Sequence, residues 1–309
     1  MTTNDTNSIS IYAENALLTT LRKSEWTGKK KASELDAKIA TDNNAVRGKA
    51  TKTDKFLIAQ DEPLWKAVKS AGRALHTEWE KWSTPWQDGG TRMIASAAFM
   101  EFAQRMDKRV EAFKAAVAAF VDDYEAMIPR QRQRLGDLFD EANYPTKGEI
   151  VNKFGVSIDY LPVPTGDDFR VQLADDQLAA VQASTRRMVE GALAKAAKDP
   201  IKRLHKAVSK VVATLAQPNA IFRDSMIGNI RELAEMMPAL NIANDPKLDA
   251  LTDEIQQDLA SIDPAELRDP RWKQGGATGH ERSQAAQERR EAAKSKAQAI
   301  LAKVDNLLL

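Results

Sequence analysis

Apolar side chains recur at steps of three and four residues along one stretch of the chain. Nine residues form this seam: Phe99, Phe102, Met106, Val110, Phe113, Val117, Phe120, Tyr124 and Met127. The period matches the turn of an α-helix, and the seam lasts for about four heptads, as in a coiled coil. It predicts a helix from about 98 to 128, which at a rise of 1.5 Å per residue is about 45 Å long.

The same period predicts further helices in the second half of the chain. One begins at Asp175 or Asp176, and another follows from Pro200, since an Asp199-Pro200 pair favours a helix boundary with proline at the first helical position. Three more are predicted: near 220–237, near 246–260 and over about 281–308. The last helix ends in an apolar tip that we expect to dock on another surface, formed by Ile300, Leu301, Val304, Leu307 and Leu308.

One segment alternates with the period of a β-strand. Apolar and polar residues alternate over 156–160 and, after a break rich in proline and glycine, again over 169–173. This pattern predicts a β-hairpin near 156–173, which is too small to be stable alone and must pack on the helices. A weaker strand candidate covers 8–12.

Together these elements predict a mainly α protein, an elongated helical bundle with a long coiled-coil-like helix and one small β-hairpin. The pattern separates a basic, tryptophan-rich N-terminal region (1–95) from a helical body that includes the hairpin (96–272). A linker with several glycines and the C-terminal helix complete the chain (273–309).

Charge adds local fields that the overall balance hides. The chain has 45 Lys and Arg against 44 Asp and Glu, a net charge of +1, so no global basic field attracts nucleic acid. The local excess is +5 over 21–56, +6 over 186–210 and +5 over 268–303, against −7 over 222–267. A solvated helix face is the simpler interpretation of the block at 186–210. Complementary blocks, the long seam and the apolar tip together predict a homo-oligomer.

The sequence offers little of the chemistry that enzymes use. Cysteine is absent, which excludes disulfides, thiolate metal sites and cysteine nucleophiles. None of the three histidines, His76, His205 and His280, lies at metal-ligand spacing from another. Phosphate-binding glycine loops and nucleophile elbows are also missing. Neighbouring aspartates at 122–123, 167–168 and 175–176 are better explained by structural roles than by magnesium. We therefore expect no catalytic centre, no cofactor and no metal.

Membrane association is not expected from the sequence. The opening segment MTTNDTNSIS lacks the basic and apolar runs of a signal peptide. Apolar stretches stay well short of the roughly 20 residues that a membrane span requires. We expect a soluble, intracellular protein.

Basic and aromatic residues in the first hundred positions form the strongest candidate site. WTGKKK sets a tryptophan and a glycine before three lysines, RGKATKTDK carries four basic residues, and TPWQDGGTR places a second tryptophan in a loop. Lysine and arginine neutralise phosphates, and an exposed aromatic ring stacks on bases, a combination that favours single-stranded nucleic acid. The candidate nucleic-acid-binding residues are Trp26, Lys29, Lys30, Lys31, Arg47, Lys49, Lys52, Lys55, Trp86 and Arg92.

A structural interpretation of the same segments remains open. Trp65, Trp79 and Trp82 have helical spacing or apolar neighbours and are predicted to be core residues; Trp26 and Trp86 would then be packed beneath lysine stems. An exposed face shared by Trp26 and the lysines favours nucleic acid. A buried Trp26 with scattered lysines favours a helical, homo-oligomeric structural or interaction protein that scaffolds an assembly or engages a host factor.

Seven segments follow one another in a recognisable order and spacing: SEWTGKKK, TKTDKFLI, STPWQDGGTRMI, LGDLFDEANYPT, KFGVSIDYLPVPTGDDFRV, FRDSMIGNIRELAEMMPALNIANDPKL and ELRDPR. Their succession resembles a widespread family of proteins encoded by tailed bacteriophages and some plasmids. The resemblance covers residues 15–300, and an insertion, GGATGHERSQ, departs from it.

The resemblance implies a phage protein in the cytoplasm of the infected bacterial host, without implying a particular activity. Some similar proteins are encoded near AAA ATPases or near replication and recombination genes. With the basic segment, this favours a non-catalytic protein that binds single-stranded DNA in phage replication or recombination. The choice between DNA and RNA and any protein partner stay open at this point.

Overall fold

The computed structural model describes residues 14–46, 48–86, 90–164, 174–217, 222–267 and 284–308. Helices predominate and a small antiparallel sheet accompanies them, which confirms the prediction of a mainly α protein. The helices are α1 (Ser33–Asp42), α2 (Pro63–Lys81), α3 (Phe99–Leu135), α4 (Lys147–Val151), α5 (Asp175–Ala216), α6 (Asp224–Leu240), α7 (Pro246–Ile255) and α8 (Gln284–Leu308). The strands are β1 (Ala16–Ser24), β2 (Lys29–Lys31), β3 (Asp54–Phe56), β4 (Thr84–Pro85), β5 (Thr91–Ala95) and β6 (Gly155–Pro162). Within the described ranges, no helix is long and apolar enough to cross a membrane.

The chain forms two compact units that each combine segments distant in sequence. The first unit consists of Met1–Thr20, Glu80–Met100 and Tyr160–Leu309, and the second of Leu21–Trp79 and Glu101–Asp159. This division does not follow the three consecutive regions that the sequence pattern separates.

Helices α5 to α8 and sheet strands build the core of the first unit. The strand order of the sheet is β4-β5-β1-β6, and β5 pairs antiparallel with β1, with Ala16 opposite Ala95. Leu18 of β1 packs with Leu193 of α5 in one buried cluster. Helix α8 packs along α5. The apolar tip of α8, with Ile300 and Val304 buried, thus docks within its own unit.

The sheet corrects the prediction of a single hairpin. Strand β6 confirms the alternating segment at 156–160, but in the sheet β6 lies next to β1, an N-terminal strand. The second half of the predicted hairpin, 169–173, and the weaker candidate at 8–12 lie outside the described residues. β1 and β5 escaped prediction because they lack regular alternation, as the threonines at the centre of β1 illustrate.

Helix α5 is continuous where the sequence predicts a boundary. Pro200 is buried inside this 42-residue helix, and Asp199 pairs with Arg203 one turn later, with Oδ2 and Nη2 2.8 Å apart. An internal proline costs a helix about 3 kcal/mol. Burial of Ala196 and Leu204 on either side of Pro200 offsets that cost. Helices α3, α6, α7 and α8 confirm the other predicted helices.

The second unit packs α2 and α3 around aromatic rings. The predicted seam of α3 is buried at Phe113, Phe120 and Tyr124, among others. Trp65 of α2 lies against this seam, with its ring centroid 5.3 Å from that of Phe120. Trp65, Trp79 and, in the first unit, Trp82 are buried, as predicted for core residues.

Candidate nucleic-acid interface

A two-stranded ribbon formed by β2 and β3 displays the three consecutive lysines. All three are exposed. The antiparallel register places Lys29 opposite Phe56, Lys30 opposite Lys55, and Lys31 opposite Asp54. Because side chains alternate between the faces of a strand, Lys29 and Lys31 share one face with Phe56 and Asp54, and Lys30 shares the other with Lys55.

Phe56 provides an aromatic ring on the first of these faces. The residue is 37% exposed, and the Lys29 Nζ lies 4.8 Å from its ring centroid. Sequence reasoning did not single out Phe56, although it ends the basic segment TKTDKF. A lysine beside an exposed ring is the combination that single-strand binding uses for phosphate and base.

Contacts from α3 and the loop after it hold the ribbon in place. The Arg134 Nη2 donates to the Phe56 carbonyl oxygen at 2.6 Å, and the Tyr144 hydroxyl donates to the Leu57 carbonyl oxygen at 2.7 Å. Burial raises the pKa of Tyr144, which keeps its hydroxyl protonated as a donor. The backbone of the ribbon is therefore fixed independently of its lysine side chains.

The Lys30 face is electrostatically balanced. Lys30 and Lys55 are like charges directly opposite each other, an arrangement that destabilises a ribbon, although the Lys55 Nζ is drawn away to the Leu138 carbonyl oxygen at 2.9 Å. These two lysines and Lys31 line an open cavity of about 330 Å³ together with three acidic residues, Glu34, Asp137 and Asp140. This face therefore offers little net attraction to a phosphate.

A second cavity, which we call the basic cleft, has a surplus of cations. It measures about 540 Å³ and is lined by Glu25, Thr27, Lys29, Gln60, Trp65, Lys66, Lys69 and Arg73. Lys66, Lys69 and Arg73 lie at positions i, i+3 and i+7 of α2, which places them on one helix face. Trp65, Val68 and other residues of the adjoining face of α2 are buried. Sequence reasoning missed this basic stripe, which its helical spacing would have revealed.

The one carboxylate of the basic cleft is already neutralised. Glu25 is bracketed by Lys23 and Lys69, whose Nζ atoms lie 2.7 and 3.2 Å from its two oxygens. Gly72 makes this approach possible, because a Cβ at that position would overlap the carboxylate. The Lys69 Nζ also donates to the Trp26 carbonyl oxygen at 3.0 Å. Lys69 is therefore fixed, and Glu25 does not offset the other cations.

Most cations of the ribbon and basic cleft have no acidic partner. Among the described residues, no carboxylate forms an ion pair with any of five side chains: Lys29, Lys30, Lys31, Lys66 and Arg73. Elsewhere in the second unit, arginines are paired, as where the Arg109 Nη2 lies 2.9 Å from Glu78 and the Arg130 Nη2 2.8 Å from Asp123. The unpaired cations are available to an external anion.

The two tryptophans of the candidate site are buried, which contradicts their predicted role in stacking. Trp26 is 9% exposed and packs edge-on against Trp65, with centroids 5.8 Å apart. Trp86 is 3% exposed and belongs to the core cluster of the first unit, with Met93. Neither ring presents a face to a base, because each fills space in an apolar core.

Arg92 also has a structural role in place of the predicted binding role. Its guanidinium donates to the Ser83 Oγ at 2.7 Å, to the Ser83 carbonyl oxygen at 2.6 Å and to the Glu80 carbonyl oxygen at 3.0 Å. These acceptors follow or end α2, so Arg92 satisfies carbonyl groups at a helix C-terminus. Burial, and then the neighbouring Arg203, lower the pKa of Arg92.

The remaining candidate nucleic-acid-binding residues fall into three groups: exposed, half-buried, and outside the described residues. Lys49 and Lys52 are exposed in the segment that leads to β3, and Lys55 is half-buried on the balanced face of the ribbon. Arg47 lies outside the described residues. The structure thus brings Lys29, Lys30, Lys31 and Lys55 together in the second unit, and it adds Phe56, Lys66, Lys69 and Arg73.

Metal-binding clusters and related proteins give no further indication of function. In the part of the chain that the structure describes, no three metal-binding side chains come together. No family model, curated protein or solved structure matches the chain.

Proposed function

We propose that this chain is a phage nucleic-acid-associated protein that binds single-stranded DNA in replication or recombination. In this proposal it works in the cytoplasm of the infected host, assembles as a homo-oligomer, and carries no catalytic centre. The ribbon and the basic cleft form its binding surface. The proposal rests on one observation. Among the described residues, Lys29, Lys66 and Arg73 have no carboxylate partner, and the Glu25 carboxylate beside them is already neutralised by two lysines.

The chemistry of this surface suits a single strand. Cations without acidic partners gain the most from phosphates, because no existing ion pair has to be broken. Phe56 gives a base a partly exposed ring next to Lys29. With Trp26 buried, stacking passes to Phe56 in this proposal.

A salt titration tests the electrostatic part of the proposal. Fluorescence anisotropy with a labelled single-stranded oligonucleotide is measured at several salt concentrations for the wild type and for a variant with Lys29, Lys30 and Lys31 changed to Gln. We expect weaker binding and a salt slope shallower by about 0.7 for each phosphate that the variant no longer neutralises. The matched control changes Lys294, Lys296 and Lys303 to Gln; these α8 lysines are already paired with carboxylates. Equal slopes for wild type and ribbon variant would contradict the proposal.

Two aromatic variants separate binding from folding. Phe56→Ala is expected to weaken binding by about 1–3 kcal/mol per stacked base while leaving the salt slope unchanged. Trp26→Ala is expected to cost about 3–5 kcal/mol of unfolding free energy, because it empties a core site. Affinity and melting temperature are recorded for both variants. Unchanged affinity in Phe56→Ala would remove the stacking role.

A second candidate function is a helical structural or interaction protein that engages a host factor or scaffolds an assembly. The burial of Trp26 favours it, and so does an apolar groove of about 360 Å³ in the second unit. Phe113, Val117 and Phe154 line this groove, and Val151 at its edge is 49% exposed. In this case, Val117→Asp would abolish partner binding without changing affinity for DNA.

A further inference from the structure

The shape and charge of the basic cleft differ from those of a surface that follows a strand. Its cations converge on one cavity, with Lys29 contributed by β2 and Lys66 and Arg73 by α2. Single-strand tracks instead spread their cations along a groove that follows the backbone. A cavity with three unpaired cations and one fixed lysine is matched to a compact ligand of high charge.

A terminal phosphate is the part of a DNA strand with these properties. An internal phosphodiester carries a single negative charge, whereas a phosphate monoester carries about −1.5 to −2 at pH 7 and offers three acceptor oxygens. The planar guanidinium of Arg73 is suited to two parallel hydrogen bonds to such a group. The Arg73 Nε donates to the Lys69 carbonyl oxygen at 3.2 Å, which orients the guanidinium.

The ribbon adjoins the basic cleft at Lys29. Lys29 belongs to both, because it lines the cleft and begins β2. Lys31 lies two residues further along β2, about 7 Å away at the rise of a β-strand, opposite Asp54 and at the edge of the cavity that Lys30 lines. Phe56 lies opposite Lys29, on the same face of the ribbon. A strand whose end is held in the cleft thus meets a second lysine and an aromatic ring.

We infer that the basic cleft binds the terminal phosphate monoester of a single DNA strand, so that the protein recognises phosphorylated ends. This inference rests on the proposed function and specifies its ligand. Lys66 and Arg73 are the residues that distinguish an end from the interior of a strand, whereas Lys31 and Phe56 contact any strand.

Oligonucleotides of one sequence that differ only at their ends test this inference. They carry a 5′-phosphate, a 3′-phosphate or no terminal phosphate, with the fluorophore at the opposite end. One of the two phosphorylated forms is expected to bind about tenfold more tightly than the unphosphorylated form, as charge-assisted hydrogen bonds to one group allow. Inorganic phosphate, compared with chloride at equal ionic strength, should weaken binding of that form alone.

Substitutions in the basic cleft test whether its residues cause the preference for a phosphorylated end. Lys66→Gln and Arg73→Gln are expected to abolish the preference, because each weakens binding of the phosphorylated strand by about tenfold and binding of the unphosphorylated strand, which brings no dianionic group to the cleft, by much less. Lys31→Gln is the control and should weaken all three strands equally, so that their ratio is kept. Both cleft residues are exposed, and equal melting temperatures would verify that folding is intact.

The possible failures are distinguishable. Equal affinity for all three oligonucleotides overturns end recognition and leaves single-strand binding in place. A preference that persists in Arg73→Gln and Lys66→Gln overturns the assignment to the cleft. Absence of binding to every strand at low salt overturns both the inference and the proposed function.

Discussion

At the scale of single residues, Gly28 decides how WTGKKK is arranged. It adopts φ of +63°, a left-handed conformation that only glycine adopts at little cost. A Cβ at this position would lie 2.8 Å from the Trp65 Cζ2. The Gly28 carbonyl oxygen also accepts a hydrogen bond from the Leu57 backbone N–H at 2.8 Å. The glycine therefore lets the chain pass closely over a buried tryptophan, after which the lysines emerge into solvent.

Gly28→Ala is predicted to destabilise the protein more than a matched glycine variant. Gly136 also has a positive φ, of +52°, but its Cβ position is open. Gly136→Ala should therefore cost only the left-handed strain, about 1–2 kcal/mol. Gly28→Ala should cost about 3 kcal/mol or more, because overpacking against Trp65 is added. Urea unfolding of both variants measures the difference. Equal losses of unfolding free energy in the two variants would mean that the Trp65 side chain moves to accommodate the added Cβ at no cost in stability.

Sequence reasoning located this segment but could not determine the exposure of its tryptophan. Three lysines in succession are exposed in almost any fold, so their position was predictable. Trp26 has polar and basic neighbours, which gave no sign that it packs against Trp65 and Tyr124. Its burial depends on contacts with residues about 40 and 100 positions away, and a local pattern does not report such contacts.

At the scale of elements, Arg290 of α8 joins the end of α5 to Leu267, whose carbonyl oxygen accepts from the Arg290 Nη1 at 3.5 Å. It is 4% exposed, and its Nη2 donates to the carbonyl oxygens of Thr214 and Gln217 at 3.3 and 3.4 Å. These carbonyls belong to the last turn of α5 and the residue after it, where carbonyls lack the usual donor four residues ahead; the Thr214 carbonyl oxygen also accepts from the Gln217 N–H at 3.3 Å. A positive charge at a helix C-terminus also interacts favourably with the helix dipole.

Arg290→Met is predicted to lower the unfolding free energy by about 3 kcal/mol, since hydrogen bonds from a buried charged group to several carbonyl oxygens are removed. The matched control is Arg289→Met, because Arg289 is the exposed neighbour on the same helix. Its effect should stay within about 0.5 kcal/mol. Chemical denaturation followed by circular dichroism compares the two. A small effect in both variants would show that α5 ends stably without Arg290.

Helices were predictable from the sequence, and strands mostly were not. The seam of α3 repeats over many turns, so its period stands out from the local noise. β2 is only three lysines long, and it is a strand because β3 pairs with it and because Arg134 and Tyr144 hold the adjoining backbone. Pro200 is the opposite case. Its local sequence predicts a helix boundary, but packing of the residues around it keeps the helix continuous.

At the scale of the whole molecule, the net charge conceals an uneven distribution of paired and unpaired charges. The acidic block of 222–267 is partly neutralised within the first unit, where the Lys303 Nζ lies 2.6 Å from Glu254 and the Lys296 Nζ 2.7 Å from Asp258. Less of that block is therefore available to a neighbouring subunit than the sequence suggests. In the second unit, by contrast, the cleft cations Lys66 and Arg73 have no carboxylate partner among the described residues.

Charge reversal at two places distinguishes a local binding surface from an effect of net charge. One variant changes Lys29, Lys30 and Lys31 to Glu, and the other changes three exposed lysines of α5, Lys195, Lys198 and Lys202, to Glu. Both lower the net charge by the same amount. At physiological salt an exposed charge acts over about 8 Å, so only residues that line the binding surface should matter.

The ribbon variant is therefore expected to bind single-stranded DNA more than about tenfold more weakly, and the α5 variant to stay within about twofold of the wild type. Anisotropy titrations at about 0.15 M salt, where the screening length is about 8 Å, provide the comparison. Equal weakening in both variants would mean that binding follows net charge, and the basic cleft would have no special role. Unchanged binding in both would leave the unpaired lysines without a nucleic-acid function and favour the interaction-protein alternative.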